Sequence, residues 1–97
     1  MEFRTDKNIL YISLEGKIDA SNAPEFEEKI NEIKNANQGM HTVLDADNLE
    51  YISSAGLRVL LRLRKAEPEL AIINVSPEVY SVFEMTGFAE MMKIEKT

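Results

Sequence analysis

The chain has no cysteine, one histidine, three prolines and four glycines in 97 residues. Without cysteine there is no disulfide, no thiol nucleophile and no thiolate metal site, although the compartment stays open. A lone His41 has no second histidine to complete a metal site, and it precedes a strand far from any strong nucleophile, so spacing favours no Ser/His/Asp set. The four glycines are spread along the chain and form no phosphate-cradling loop of the Walker or dinucleotide type. No apolar stretch approaches the roughly 20 residues of a membrane span. The first residues, Met-Glu-Phe-Arg-Thr-Asp, show no basic region followed by an apolar run. Positive charge is also short: 11 Lys and Arg against 17 Asp and Glu leave a formal net charge of −6, which argues against nucleic-acid binding by the whole surface.

What is present suffices for a core. The chain length suits one domain, and a hydrophobic fraction of 44% argues against wholesale disorder. The expectation is one domain over residues 1–97, in the cytoplasm.

Hydrophobic periodicity divides the chain into alternating strands and helices. Leu10, Ile12 and Leu14 alternate with Tyr11, Ser13 and Glu15, the pattern of a half-buried strand. A short strand around Phe3 can pair with it through Asp6-Lys7-Asn8, and Gly16 punctuates its end. Ser21 or Asn22 can cap a helix that starts through Pro24, with Ala23, Phe26, Ile30 and Ile33 at helical spacing. Thr42-Val43-Leu44 is a short apolar strand, followed by Asp45 to Asn48 as a polar loop. Leu57, Leu60 and Leu61 form the buried stripe of a second helix. Leu70 to Val75 reads as a strand covered on both faces. Ser76-Pro77-Glu78 starts a third helix with Val79, Val82 and Phe83 inward and Gly87 at its end, and Met92 and Ile94 suggest a last short strand. Helices are expected near 21–35, 54–66 and 76–86. This is an α/β domain, with four or five mixed strands covered by three main helices.

The most informative segment is Leu49-Glu50-Tyr51-Ile52-Ser53-Ser54-Ala55-Gly56-Leu57. It puts hydroxyls at a helix N-terminus, where unpaired N–H groups and the helix dipole favour an anion. Serine is also a common N-cap, so the local pattern alone leaves Ser54 either a phosphate acceptor or a cap. Arg58, Arg62 and Lys65 lie at i, i+4 and i+7, with Arg64 nearby. A solvated helix face explains this basic stripe most simply; beside the serines it could also steer an acidic partner or hold a phosphate. The carboxylates of Glu25, Glu27, Glu28 and Glu32 sit on a helix face where solvation accounts for them. Met85, Met91 and Met92 read as core fillers.

These junction residues resemble the STAS domain, specifically the stand-alone bacterial anti-sigma factor antagonists. The resemblance rests on Gly16-Lys17-Ile18-Asp19 with Ala23-Pro24, on Leu49 to Leu57, on Ile73 to Pro77 and on Phe83 to Gly87. It implies a STAS-type fold and a phospho-switched binding module that is not an enzyme and has no cofactor, metal or catalytic residue. Such a module captures an anti-sigma factor, a serine kinase of the histidine-kinase-like ATPase type, and releases it on phosphorylation. It further implies phosphorylation on Ser54, a serine phosphatase that resets the switch, and a monomer that touches neither nucleic acid nor membrane. Partner contacts fall on Asp19, Ser21, Ser53, Ala55, Gly56, Leu57 and Arg58. The bland readings are that Asp19 shapes its turn, Ser53 caps or bonds within the loop, and Gly56 permits close packing. Two residues depart from the family pattern: Ser53 stands at the usual aspartate and Ala55 at a usual Ser or Thr. The same fold could also serve a partner-switching circuit without a sigma factor, or a structural subunit that never uses the serine.

Overall fold

The alternating pattern from Leu10 to Leu14 becomes the long strand β2 (Ile9–Ile18), with those three side chains buried and Tyr11, Ser13 and Glu15 turned from the core. β1 (Phe3–Asp6) pairs with it antiparallel, across a turn in which Lys7 takes a left-handed φ of 58°. The computed structural model describes residues 1–97. Beyond β2 the chain continues as α1 (Ala23–Ala36), β3 (His41–Ile52), α2 (Ser54–Ala66), β4 (Ala71–Val75) and α3 (Pro77–Met85). It closes with a single 3₁₀ turn (Phe88–Glu90) and β5 (Lys93–Lys96). The five strands lie in sequence order, β1 antiparallel and the others parallel, so the expected mixed sheet with three helices is what forms.

Strand order explains the layering. Each parallel step moves to the next strand in the same direction, and right-handed crossovers then place every connecting helix on one face. One cluster of 21 buried residues joins that face to all three helices, among them Leu10, Ile12, Leu44, Ile72, Ile30, Leu60 and Phe83. The other sheet face has no helix. Leu70 to Val75 therefore has a helix on one face only: Leu70, Ile72 and Val75 are buried beneath it, and on the helix-free side the small Ala71 is buried while Ile73 lies half-buried beside Asp45.

Three other expectations are corrected. Gly16 does not end β2 but sits inside it at φ +67°, where the pairing with β3 slips. Asp45 to Asn48 is not a loop but the middle of a 12-residue strand. Register shifts between Ser13/Glu15 and between Gly16/Lys17 give β3 an extra residue at each place, so its apolar side chains Ala46, Leu49 and Ile52 recur every third position. The polar residues between them bulge outward, as bulged strands do. Third, the C-terminal methionines are not core fillers as a group: Met85 is 86% exposed and Met91 42%, and only Met92 packs against the core. Met85 follows Phe83 by two residues, about 200° around α3, so burying one exposes the other.

At the end of the molecule where the parallel strands begin, Glu67 closes two connections together. Its Oε2 accepts from the Thr42 N–H at 2.7 Å, and Lys34 Nζ and His41 Nδ1 lie 3.3 and 3.6 Å from its carboxylate. Burial pushes this carboxyl up, but the Thr42 N–H and Lys34 outweigh it, and its pKa falls below the ordinary value. A carboxylate with a lowered folded pKa contributes stability that is present above its unfolded pKa and lost as pH falls through the folded value. Glu67→Gln should therefore flatten the acid limb of a thermal-melt pH profile below about pH 4.5.

Candidate functional site

The distal ends of β2 and β3 lie side by side, and the chain leaves each of them for a helix. At the end of β3, Ser53 keeps an extended backbone (φ −90°, ψ 176°), and its N–H donates to the Ile18 carbonyl at 2.8 Å. Its Oγ accepts from the Gly56 N–H at 3.5 Å, so Ser53 occupies the cap of α2. Ser54 is the first helical residue. It is exposed, and its hydroxyl forms no hydrogen bond. Of the two adjacent hydroxyls, one is committed to the helix start and the other is free.

Gly56 is buried where α2 crosses the strand ends. A Cβ there would lie 2.6 Å from Ile52 Cγ1 and 2.9 Å from Ile18 Cγ2, both parts of buried side chains. Glycine at this position is what allows α2 to sit against the sheet. Gly56→Ala should be destabilising despite alanine's better helix propensity, because overpacking costs about 1–3 kcal/mol against a propensity gain of about 1. Urea unfolding would show this as a lowered midpoint. Leu57 is also buried, at 8% exposure. Gly56 and Leu57 thus offer a partner little surface. Their part in the free chain is to seat the helix, whereas Ala55 is half-buried and Arg58 exposed.

The turn after β2 lies beside Ser53. The Asp19 Oδ1 accepts from the Ser21 hydroxyl at 2.6 Å and from the Ser21 N–H at 2.9 Å. The Asp19 N–H donates to Asn22 Oδ1, and Asn22 Nδ2 donates to the Lys17 carbonyl. The Ser21 hydroxyl, with help from its N–H, holds the Asp19 carboxyl below the usual carboxylate range. Asp19 therefore shapes its turn, as the residue type suggested. Asn22 stands at the cap position of α1 but makes no side-chain cap, its amide being spent on the same turn.

Between α1 and α2 runs a surface groove lined by Ala20, Pro24, Glu27, Ala55, Arg58 and Arg62. Glu27, grouped in the sequence with the solvated carboxylates, instead takes Arg62 in a two-pronged ion pair, with Arg62 Nε and Nη2 each 2.9 Å from a carboxylate oxygen. These hydrogen bonds and the accompanying charge lower the Glu27 pKa and raise that of Arg62. Glu25 pairs along its own helix with Lys29, at 3.2 Å. Arg58, Arg62 and Lys65 are all exposed, so the basic stripe is a surface feature. Arg64 does not join it: it lies about 120° around the helix, half-buried, with its Nε enclosed and unpaired. Tyr51, 47% exposed near the end of β3 and three residues before the free serine, was not singled out by sequence reasoning. Its position within the Leu49–Leu57 segment was the available signal.

Known proteins share this fold. The family model for the STAS domain matches residues 1–97. BtrV of Bordetella bronchiseptica, named as a candidate anti-sigma factor antagonist, is 35% identical over 97% of this chain and 85% of its own length. The anti-sigma-B factor antagonist of Listeria monocytogenes is 29% identical over 93% of this chain and 82% of its own. Among solved structures, a candidate anti-sigma factor antagonist from Thermotoga maritima superposes with a TM-score of 0.84 over 99% of this chain and 86% of its own, at 18% identity. The antagonist SpoIIAA in its unphosphorylated form gives a TM-score of 0.71 over 96% of this chain and 85% of its own, at 21% identity. At such identities the likeness to the solved structures is one of fold.

Proposed function

The chain belongs to the STAS domain family, and from that premise we propose that it is an anti-sigma factor antagonist switched by phosphorylation of Ser54. The observation that carries the reading is the division of labour between the two serines. Ser53 takes the cap, which leaves Ser54 exposed with an unbonded hydroxyl at the start of α2.

The mechanism follows from charge. Unphosphorylated, the surface around Ser54 carries no phosphate charge, with Ala55 next in the helix, Arg58 one helical turn on and the Asp19–Ser21 turn adjacent to the start of α2. That surface receives an anti-sigma factor, a serine kinase of the histidine-kinase-like ATPase type, in a one-to-one complex in the cytoplasm. Phosphate on Ser54 adds roughly two negative charges. The fold tolerates them, because the first amides of α2 and its dipole favour an anion. The docked partner does not, because burying that charge against a close-packed surface carries desolvation and repulsion. A serine phosphatase restores the binding form.

Ser53 sets the rate. An aspartate at this position could orient the acceptor hydroxyl or take its proton, whereas a serine engaged as a cap does neither well. The test is incubation with ATP and a candidate kinase, followed by mass spectrometry of the peptide containing Ser54. One phosphate on Ser54, absent in Ser54→Ala, is expected, and modification elsewhere with Ser54 untouched would overturn the reading. Ser53→Asp should be phosphorylated faster than wild type in the same assay.

A further inference from the structure

We propose that Arg58 is the counter-ion of the phosphate on Ser54, an inference that rests on Ser54 being the acceptor. Three observations carry it. First, Ser54 and Arg58 stand at i and i+4 on α2, both exposed, with the anion N-terminal to the cation, which is the favourable order for such a pair. Helical side chains lean back toward the N-terminus, so Arg58 covers the turn that Ser54 begins. Second, Arg58 is unoccupied. The ion pairs of the molecule are Lys29–Glu25, Lys34–Glu67, His41–Glu67 and Arg62–Glu27, and Arg58 is in none of them. Third, Arg62, the next cation of the stripe, is held by both oxygens of Glu27 and is not free to turn toward the phosphate. Glu27, Arg58 and Arg62 are the only charged groups lining the groove, so the pair with Glu27 leaves one uncompensated cation there, and it is the one nearest Ser54 in the helix.

A guanidinium against a phosphate favours the dianion. One bond then has two effects. It keeps the phosphate doubly charged across neutral pH, and it withdraws from the partner-facing groove a cation that the unmodified protein displays.

The test uses the full chain with phosphoserine installed at position 54 during synthesis, so no kinase is needed. Phosphorus NMR then follows the phosphate through its second ionisation, which ordinarily lies near pH 6. The helix amides act equally in every variant, so differences between variants isolate the side chains. R58Q should raise the midpoint by about 0.15–0.4 pH unit, R58K should recover part of that, and the double variant E27Q/R62Q, which removes the neighbouring pair as a unit, should leave it in place. Molar salt should shrink the difference between wild type and R58Q. If R58Q and wild type titrate within about 0.1 unit, or if E27Q/R62Q moves the midpoint as far as R58Q, Arg58 is not the counter-ion. Because the phosphate is installed chemically, failure of this titration is separable from failure of a kinase to modify Ser54.

Discussion

Leu60→Ala should lower the stability of this protein by about 2–5 kcal/mol, the range for deleting a fully buried leucine whose surroundings cannot collapse. Leu60 is 0% exposed and lies in the one cluster that binds all three helices to the sheet. The cavity left by alanine would be walled by elements already fixed to one another. Urea unfolding should show a lower midpoint with an unchanged slope, since the surface exposed on unfolding is nearly the same. Arg62→Ala serves as the contrast. Its side chain is exposed and its bond to Glu27 is a surface ion pair, so its midpoint should stay close to wild type. If the order of the two were reversed, α2 would be rotated about its axis, and Ser54 and Arg58 would no longer share an exposed face.

The orientation of α2 was legible in the sequence because leucine spacing fixes a helical phase: Leu57 and Leu60 are buried as expected and Val59 and Leu63 join them, whereas Leu61, expected in the same stripe, is half-buried at its edge. β2 was legible for the same reason at period two. β3 was not, because its two bulges convert a period of two into a period of three, and Asp45, Asp47 and Asn48 are residues that turns favour. The open sheet face escaped notice because a short apolar run looks alike whether one face or both are covered, and only strand order distinguishes them.

The site divides the same way. Its place in the chain was readable from Leu49 to Leu57, but the choice between Ser53 and Ser54 as cap was not, since both residues cap well. The deciding feature is the backbone of Ser53, extended by its bond to Ile18, which turns its hydroxyl onto the Gly56 N–H. The Glu27–Arg62 pair was invisible for a different reason. It joins residues 35 apart on two helices, and no local spacing reports which faces of two helices meet.

Ser54→Ala and Ser54→Asp should separate a switch from a mere helix start. Alanine removes the acceptor without adding charge, and Ser53 still caps the helix, so Ser54→Ala should bind the kinase partner about as tightly as wild type while accepting no phosphate. Aspartate places one negative charge where the phosphate would sit. The first turn of α2 contains no acidic residue, so the dipole is free to stabilise that charge and the fold should hold. The complex should weaken by roughly 1–3 kcal/mol, that is, about 5- to 150-fold in Kd, because the charge must be desolvated in the interface. Isothermal titration of the two variants against the partner measures the difference directly. Unchanged melting temperatures for both would assign it to the interface and not to folding. Equal affinities would leave Ser54 a plain surface residue at the start of α2, and the free hydroxyl would then have no part in releasing the partner.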